Sequence, residues 1–356
     1  MEFGLSEEQT LLADSVHRFL EEQVPLERVR GIATGEETDG SQSVWQELAD
    51  LGIPALLIPE EQGGVGLSQL DAAVVAEMFG YHTTPAPFIG TAVMAPIALK
   101  AAGDDTTLAA IAKGETTVGV AIGEAVASRL DAGVTSNGER LTGKCVFIIN
   151  YGSDRYLVAD DTGALFMVAS DADGLTHRPL TTVDRTRPSG ELVFDDTPAQ
   201  LLSSDAATFE AVLDAGRVML AADTLGAAQN MIDQAVAYAK EREQFNRPIG
   251  SFQAVKHMCA EMAASLEPCR PMVWYAAHAL DEIPEEARLT ACHTKAHLAE
   301  VGTFIAKTST EVHGGMGFTD LVGLHYWFKR IGFNRQMLGV PELVREEAAR
   351  LQGLVV

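Results

Sequence analysis

From Ala206 onwards the chain consists largely of long alanine-rich stretches of helical pattern. Pro248, Pro284 and the Gly314-Gly315 pair interrupt this pattern, and both residue types end helices. The predicted helices cover residues 206–241, 251–280, 285–311 and 321–350. Four helices of this length favour a bundle, so residues 204–356 are predicted to form a C-terminal four-helix bundle.

A different pattern precedes the bundle. Between Thr116 and Leu202, short runs rich in β-branched residues alternate with turns that contain Gly, Asn and Asp. Such runs are typical of short strands. The clearest runs are residues 117–122, 145–149, 155–159, 164–169 and 190–194. The sequence therefore predicts a small β domain over residues 116–203.

The N-terminal part is predicted to be helical. A helix capped by Ser6 reaches about Leu20, a second occupies residues 44–51, and a third runs from Ser68 towards residue 79. These helices define an N-terminal helical domain over residues 1–115. The predicted fold class is thus mainly α with a central small β domain, in the order helical domain, β-barrel or sandwich domain, and four-helix bundle.

The charge balance excludes several classes of partner. Asp and Glu number 50 against 26 Lys and Arg, which gives a formal net charge of -24. This charge argues against nucleic acid or an anionic membrane as the partner. The four cysteines form no CxxC pair, so no metal site and no disulfide framework are predicted. The N-terminus has no signal pattern and no apolar run reaches a membrane span, so a cytoplasmic location is expected.

Two motifs in the predicted bundle resemble the signatures of a known family. Residues 238–253 read YAKEREQFNRPIGSFQ, and residues 311–319 read EVHGGMGFT. Together with LGIPALLIPEEQGG at residues 51–64, they resemble the acyl-CoA dehydrogenase family along the whole chain. The order of the three predicted domains is also that of this family. The resemblance implies an FAD-dependent oxidoreductase that acts on an acyl-CoA, with an electron-transfer flavoprotein as the electron acceptor.

The resemblance implies that these motifs contact FAD. Arg242 offers a planar donor fork for a phosphate, Phe245 a flat apolar face, and Gln253 an amide that both donates and accepts. Gly314 and Gly315 would let the backbone approach the cofactor. In the family these elements reach, together with residues at the positions of Glu311 and His313, the adenosine half of an FAD bound by a neighbouring subunit. Taken singly, each residue also has a structural explanation in solvent exposure, core packing or helix capping.

Other positions depart from the family pattern. Glu311 stands where the family usually has Gln, and an anion beside a diphosphate is unfavourable unless it accepts from a ribose hydroxyl. Residues 121–129, which read AIGEAVASR, lack the Pro and most of the glycines of a segment shaped around the flavin. Phe147 and Ile149 replace the Trp and Thr that lie against the flavin ring in the family. A flavin site formed by this chain alone is therefore expected to be impaired.

The family's catalytic carboxylate is also missing. The family places a Glu that removes the α-proton at one of two positions, which are here Gly339 and Gly216. Loss of a positioned base costs roughly 10²–10⁴-fold in rate. Glu342 and Asp214 are the nearby carboxylates, and Glu342 is the weak candidate for a relocated base.

These features together resemble the non-catalytic subunit of heteromeric acyl-CoA dehydrogenases that act on steroid side chains. The segment YHTTPAPF at residues 81–88 also resembles that subgroup. A homologous subunit would then supply the base, the flavin cradle and the acyl pocket. Two alternatives remain: a self-sufficient homotetrameric dehydrogenase with a relocated base, and a cofactor-free structural or binding protein on this fold.

Overall fold

A computed structural model describes residues 4–38 and 40–355. The predicted N-cap is confirmed, because Ser6 and Gln9 exchange side-chain and backbone hydrogen bonds as a capping box. A π-helical turn over Ile89–Met94 leads into the fifth helix and is fully buried. The N-terminal helices are α1 (Glu7–Gln23), α2 (Leu26–Thr34), α3 (Gly40–Asp50), α4 (Gln69–Tyr81), α5 (Ala95–Ala102) and α6 (Asp105–Ala112).

The β region consists of two four-stranded sheets in the orders β1-β4-β5-β8 and β2-β3-β7-β6. Strand β1 runs parallel to β4, and the other pairs in these sheets are antiparallel. Side chains from both sheets, among them Tyr156, Phe166 and Phe194, share one core. A short helix α7 (Gly123–Val126) follows β1. The strands are β1 (Val118–Ala121), β2 (Gly133–Ser136), β3 (Arg140–Val146), β4 (Arg155–Ala159), β5 (Leu165–Ala169), β6 (Leu175–Leu180), β7 (Ser189–Pro198) and β8 (Gln200–Ser203).

The C-terminal part is a helical bundle built on two long parallel helices, α8 (Ala206–Glu241) and α11 (Pro284–His313). Two of the four predicted helical stretches are divided. Pro268 lacks the backbone N–H that a continuous helix needs, and the extended Met337 (ψ 143°), followed by the left-handed Leu338 (φ +55°), divides the last stretch. The helices are α8 (Ala206–Glu241), α9 (Gln253–Leu266), α10 (Cys269–Glu282), α11 (Pro284–His313), α12 (His325–Gln336) and α13 (Pro341–Leu351). Among the described residues, no helix combines the length and apolarity needed to cross a membrane. The mainly helical fold with a central small β domain is thus confirmed.

A buried polar network joins the N-terminal, β and C-terminal regions. Asp223 on α8 accepts hydrogen bonds from Arg187 Nη2 at 2.6 Å, Arg330 Nε at 3.2 Å and Asn334 Nδ2 at 2.6 Å. Arg330 also donates to the Thr84 carbonyl at 2.7 Å. Burial alone would raise the pKa of Asp223, but the two guanidinium groups outweigh it and hold that pKa below its ordinary value. The network fixes how the three regions meet.

Candidate functional site

The two signature motifs lie at the same end of the bundle. The ring of Tyr238, near the end of α8, stacks on the ring of His313 at the end of α11, with centroids 4.7 Å apart. His313 Nδ1 lies 2.8 Å from the carbonyl oxygen of Ser309, and burial lowers the pKa of His313. His313 therefore packs inside the bundle, whereas the predicted contact Glu311 is exposed on the same helix.

Beyond α8 the chain forms a tight hairpin between β9 (Glu243–Gln244) and β10 (Arg247–Pro248). Its two central residues, Phe245 and Asn246, have φ values of +54° and +62°, the left-handed pair of a type I′ turn. A bulky residue in this conformation is strained, yet Phe245 is also 87% exposed. The turn thus presents an aromatic ring to solvent, with Arg242 and Gln253 exposed on either side of it in sequence.

Gly314 and Gly315 leave open space at the end of α11. Gly314 has φ +58° and ψ -137°, a conformation essentially restricted to glycine. A Cβ atom added at either glycine would meet no described heavy atom within 4 Å. The exposed cation of Arg242, the exposed ring of Phe245 and this open backbone have the chemistry needed for a phosphate and an adenine.

A second candidate site is a cavity of about 730 Å³ between the β region and the bundle, called the central cavity below. It brings together three segments that sequence reasoning singled out: residues 123–129, Phe147 with Ile149, and the loop that carries Gly339. Its volume is that of a small-molecule site. The lining residues are Val120, Ile122, Gly123, Ala127, Ser128, Arg129, Val146, Phe147, Ile149, Leu180, Thr181, Thr182, Val183, Gly332, Phe333, Gln336, Met337, Leu338, Gly339 and Val340.

No carboxylate belongs to the described residues that line this cavity. Gly339 is buried with φ +107°, and a Cβ there would lie 2.8 Å from Val344 Cγ2. The side chain of Glu342 is 69% exposed and pairs with Arg335 at 3.3 Å, away from the cavity lining. The structure therefore brings the first predicted base position to the cavity, but no carboxylate stands at that position.

The second base position is sealed. A Cβ on Gly216 would lie 2.6 Å from Leu338 Cδ1 and 2.8 Å from Met94 Sδ. Met94 comes from the π-helical turn, and Leu338 comes from the loop of Gly339, so the two predicted base positions are neighbours in space. Side chains of apolar residues fill the volume that a carboxylate on α8 would need.

The loop of residues 337–340 is held by two buried cations that sequence reasoning missed. Arg217 Nε donates to the Leu338 carbonyl at 3.0 Å. Lys295 Nζ donates to the carbonyls of Asn334 at 2.9 Å and of Gly339 at 3.2 Å. Burial, together with the charges of the nearby Arg217 and Arg335, lowers the pKa of Lys295 to about 7. A lysine in the middle of a helical pattern gave no signal of this role.

Asp214, the other nearby carboxylate, is buried but does not line the cavity. It lies 3.4 Å from Arg288 Nη1 and 3.7 Å from Arg217 Nη1. Burial raises the pKa of Asp214 to about 6, and it outweighs the lowering effect of these two cations. Asp214 therefore destabilises the fold when it ionises.

This gives a pH-dependent prediction for Asp214→Asn. Because the folded pKa of about 6 exceeds the ordinary 3.8, the stabilising contribution of Asp214 is present below about pH 4 and is lost as the pH rises to about 6. The free energy of unfolding of the variant relative to the original chain should therefore rise by up to about 3 kcal/mol over this range and stay level above it. Urea unfolding at pH 4, 5, 6 and 8 measures this difference. A difference that does not change with pH would contradict it.

Comparison with known proteins assigns the family. Residues 6–115 match the family model of the N-terminal domain of acyl-CoA dehydrogenases, and residues 206–352 match that of the C-terminal domain. The chain belongs to the acyl-CoA dehydrogenase family. It is 32% identical over 352 residues to acyl-CoA dehydrogenase IpdE2 of Mycolicibacterium smegmatis, which covers 99% of this chain and 100% of the relative. Identity to IpdE2 of Mycobacterium tuberculosis is 32% over 359 residues, with 98% of both proteins covered.

Solved structures of this family have the same fold. A variant of the Tcur3481-Tcur3483 steroid acyl-CoA dehydrogenase superposes with a TM-score of 0.88 at 28% identity, over 98% of both chains. The ChsE4-ChsE5 complex of Mycobacterium tuberculosis superposes with a TM-score of 0.86 at 24% identity, over 100% of both chains, which shows the shared fold.

Acyl-CoA dehydrogenases are FAD-dependent oxidoreductases, so FAD is the cofactor of this acyl-CoA dehydrogenase. The two candidate sites fit its two halves differently. The end of the bundle offers donors and an open backbone that suit the adenosine diphosphate half. In the central cavity, the guanidinium carbon of Arg129 lies 5.5 Å from the ring centroid of Phe147, and Ile149 offers no hydroxyl. The cavity therefore does not suit the flavin ring.

Proposed function

We propose that this chain is the non-catalytic subunit of a heteromeric acyl-CoA dehydrogenase, and that it completes an FAD site formed mainly by a homologous subunit. The observation that carries the proposal is the central cavity, whose described lining contains no carboxylate. Removal of an α-proton needs a base within hydrogen-bond reach of the substrate. A cavity lined in this way lacks that base.

The local backbone opposes a simple return of the base. At Gly339, φ +107° strains any residue with a Cβ, and Val344 already occupies the space beside it. At Gly216, an added Cβ would lie 2.6 Å from Leu338 Cδ1 and 2.8 Å from Met94 Sδ, which is closer than van der Waals contact allows. Both positions are thus shaped around glycine, which favours a role without proton abstraction over a recently lost base.

In this proposal the chain contributes binding. Arg242 would hold a phosphate of FAD, Phe245 would cover the adenine, and Gln253 would bond to polar groups beside it. Glu311, His313, Gly314 and Gly315 belong to the same predicted contact region. When bound, FAD takes up the electrons that leave the acyl chain. These residues act on the cofactor by orienting it and by shielding it from water.

Exposed apolar surface at this end of the bundle supports a partner chain. Phe318 is 81% exposed and Leu321 is 79% exposed, next to the Gly314–Phe318 turn. Helix α9 follows the Phe245 hairpin, and of its 14 residues two are buried, Met262 and Leu266. Exposed apolar side chains and a helix that buries few of its residues are typical of a surface that another subunit covers.

The choice of partner and substrate rests on the relatives. The solved structure at 28% identity is described as a steroid acyl-CoA dehydrogenase, and its description names two chains, Tcur3481 and Tcur3483. We infer that this chain pairs with a homologous acyl-CoA dehydrogenase subunit and that the pair acts on a bulky, steroid-type acyl-CoA. An electron-transfer flavoprotein is the proposed electron acceptor.

The first test is the visible absorption spectrum of the chain alone and of the chain co-purified with its homologous subunit. The chain alone should be colourless, and the complex should be yellow with about one FAD per pair of chains. A chain that is yellow alone and fully loaded would contradict the partner role and favour the self-sufficient homotetramer, with Glu342 as its base. A complex that stays colourless would favour a cofactor-free binding protein.

The same complex tests the role of Phe245. Phe245→Asn places a residue favoured in type I′ turns at this left-handed position, so the melting temperature should stay the same or rise. Loss of an aromatic stacking surface should weaken FAD binding about tenfold or more. Asn246→Gly is the matched control, because it alters the same turn and keeps the ring. Equal FAD affinity in Phe245→Asn and in the original complex would contradict the proposed contact.

A further inference from the structure

The wall of the central cavity carries one ionised side chain among its described residues, that of Arg129. The geometry points to Arg129, held by Glu124, as a built-in plug that keeps the flavin ring out of this chain's own cavity. The inference rests on the proposed function, because it explains why one of two homologous subunits would leave its ring site empty. It assigns a specificity-determining role to residues that the sequence showed only as departures from a pattern.

The carboxylate of Glu124 links the guanidinium of Arg129 to the backbone beside Phe147. Glu124 Oε1 accepts a hydrogen bond from Arg129 Nη1 at 2.7 Å and another from the backbone N–H of Val146 at 3.2 Å. Val146 precedes Phe147, whose ring lies under the Arg129 guanidinium, with 5.5 Å between the guanidinium carbon and the ring centroid. One carboxylate therefore ties the cation to the backbone of the aromatic surface that it covers.

The surroundings are shaped for this arrangement. A Cβ on Gly123 would lie 3.3 Å from Arg129 Nη1, so glycine leaves room for the guanidinium. Phe147 has φ +60°, is 40% exposed and lines the cavity. A planar cation over an aromatic face is a favourable pair in its own right. It occupies the flat surface on which a flavin ring would have to stack.

Burial of Glu124 distinguishes this pair from an ordinary surface ion pair. Its side chain is 3% exposed, against 34% for Arg129, and its Oε2 atom has no hydrogen-bond partner among the described residues. If Arg129 swung out to admit a ring, the carboxylate would remain buried without its cation. Breaking a pair of this kind by removing one partner is strongly unfavourable. The ring would have to overcome that loss, so it is excluded.

The test uses the complex and free FAD as the probe. In Glu124→Gln/Arg129→Ala, FAD per pair of chains should rise from about one towards two, measured from visible absorbance and protein concentration. Titration of FAD into this chain alone should show binding at least about tenfold tighter than in the original chain. The matched control is Glu191→Gln/Arg178→Ala, which removes an ion pair of 2.8 Å in the same β region outside the cavity lining and should change neither value.

A second variant covers the case in which the double variant does not fold. Arg129→Lys can keep the ion pair with Glu124 but removes the planar group from Phe147, and it should give a smaller gain in FAD affinity. Unchanged FAD stoichiometry and affinity in the folded variants, with the original complex at about one FAD per pair, would overturn the plug and leave the partner role intact. About two FAD per pair in the original complex would overturn both.

Discussion

Replacement of Asp223 by alanine is expected to lower the free energy of unfolding by about 3–5 kcal/mol, because it leaves two buried guanidinium groups without their shared carboxylate. Arg187 and Arg330 are both almost fully buried, and each loses a charged partner at 2.6 Å or 3.2 Å. Whole domains are stable by only about 5–15 kcal/mol, so the variant should accumulate poorly. Urea unfolding followed by circular dichroism measures the loss.

Asp233→Ala is the matched control for Asp223→Ala. It lies on the same helix α8 but is exposed, and its partners are the neutral Tyr81 hydroxyl at 3.1 Å and the Gln229 amide at 3.0 Å. Its loss should cost about 1 kcal/mol or less. Equal effects of the two substitutions would show that the network does not bind the three regions together.

The second large effect is expected for Gly216→Glu, the direct attempt to restore a base on α8. The added Cβ alone would lie 2.6 Å from Leu338 Cδ1, and the carboxylate would be buried beyond it. Overpacking and burial of a charge should together cost more than about 4 kcal/mol of stability. Dehydrogenation of an acyl-CoA by the chain alone should not appear. Urea unfolding and dye reduction measure the two outcomes.

A double-mutant cycle isolates the cause of the Gly216→Glu effect. Gly216→Ala should destabilise by about 1–3 kcal/mol through overlap with Met94 and Leu338. Met94→Ala removes the Met94 part of that overlap, so the double variant Gly216→Ala/Met94→Ala should be more stable than the sum of the two single effects predicts. Strict additivity, or a Gly216→Glu variant of original stability, would mean that the position has room for a side chain.

The sequence predicted the succession of helical, β and helical regions, because periodicity and turn residues act locally. It also placed both signature motifs, residues 238–253 and 311–319, within the predicted bundle, where they lie. It did not predict the break at Pro268 within the second bundle stretch or the division at Leu338, since a left-handed leucine depends on tertiary contacts of its loop. At Pro268 the break has a local signal, the missing N–H of proline, which the predicted helix over residues 251–280 did not take into account, whereas around Leu338 the local pattern is that of a continuous helix.

In the candidate site, too, the features that depend on neighbouring residues could be predicted, and the contacts between distant segments could not. Phe245 is exposed because it lies in a turn formed by two adjacent residues, and the motif in the sequence singled out Phe245 as a candidate. The contact of Arg129 with Phe147 joins a short helix to a strand end, and the contact of Lys295 with the carbonyl of Gly339 joins α11 to a distant loop. No spacing in the sequence encodes such contacts, so residues 121–129 could be described only by what they lack.

The loop of residues 337–340 has a consequence for how the central cavity meets any molecule. Its carbonyls are held by Arg217 on α8 and Lys295 on α11, the two longest helices of the bundle. This loop therefore cannot open by local unfolding alone, because its free energy of opening is tied to that of the bundle core. On this side of the cavity a ligand therefore cannot reshape the wall and must match a shape that already exists. Steric overlap with this loop then rejects an occupant of the wrong shape.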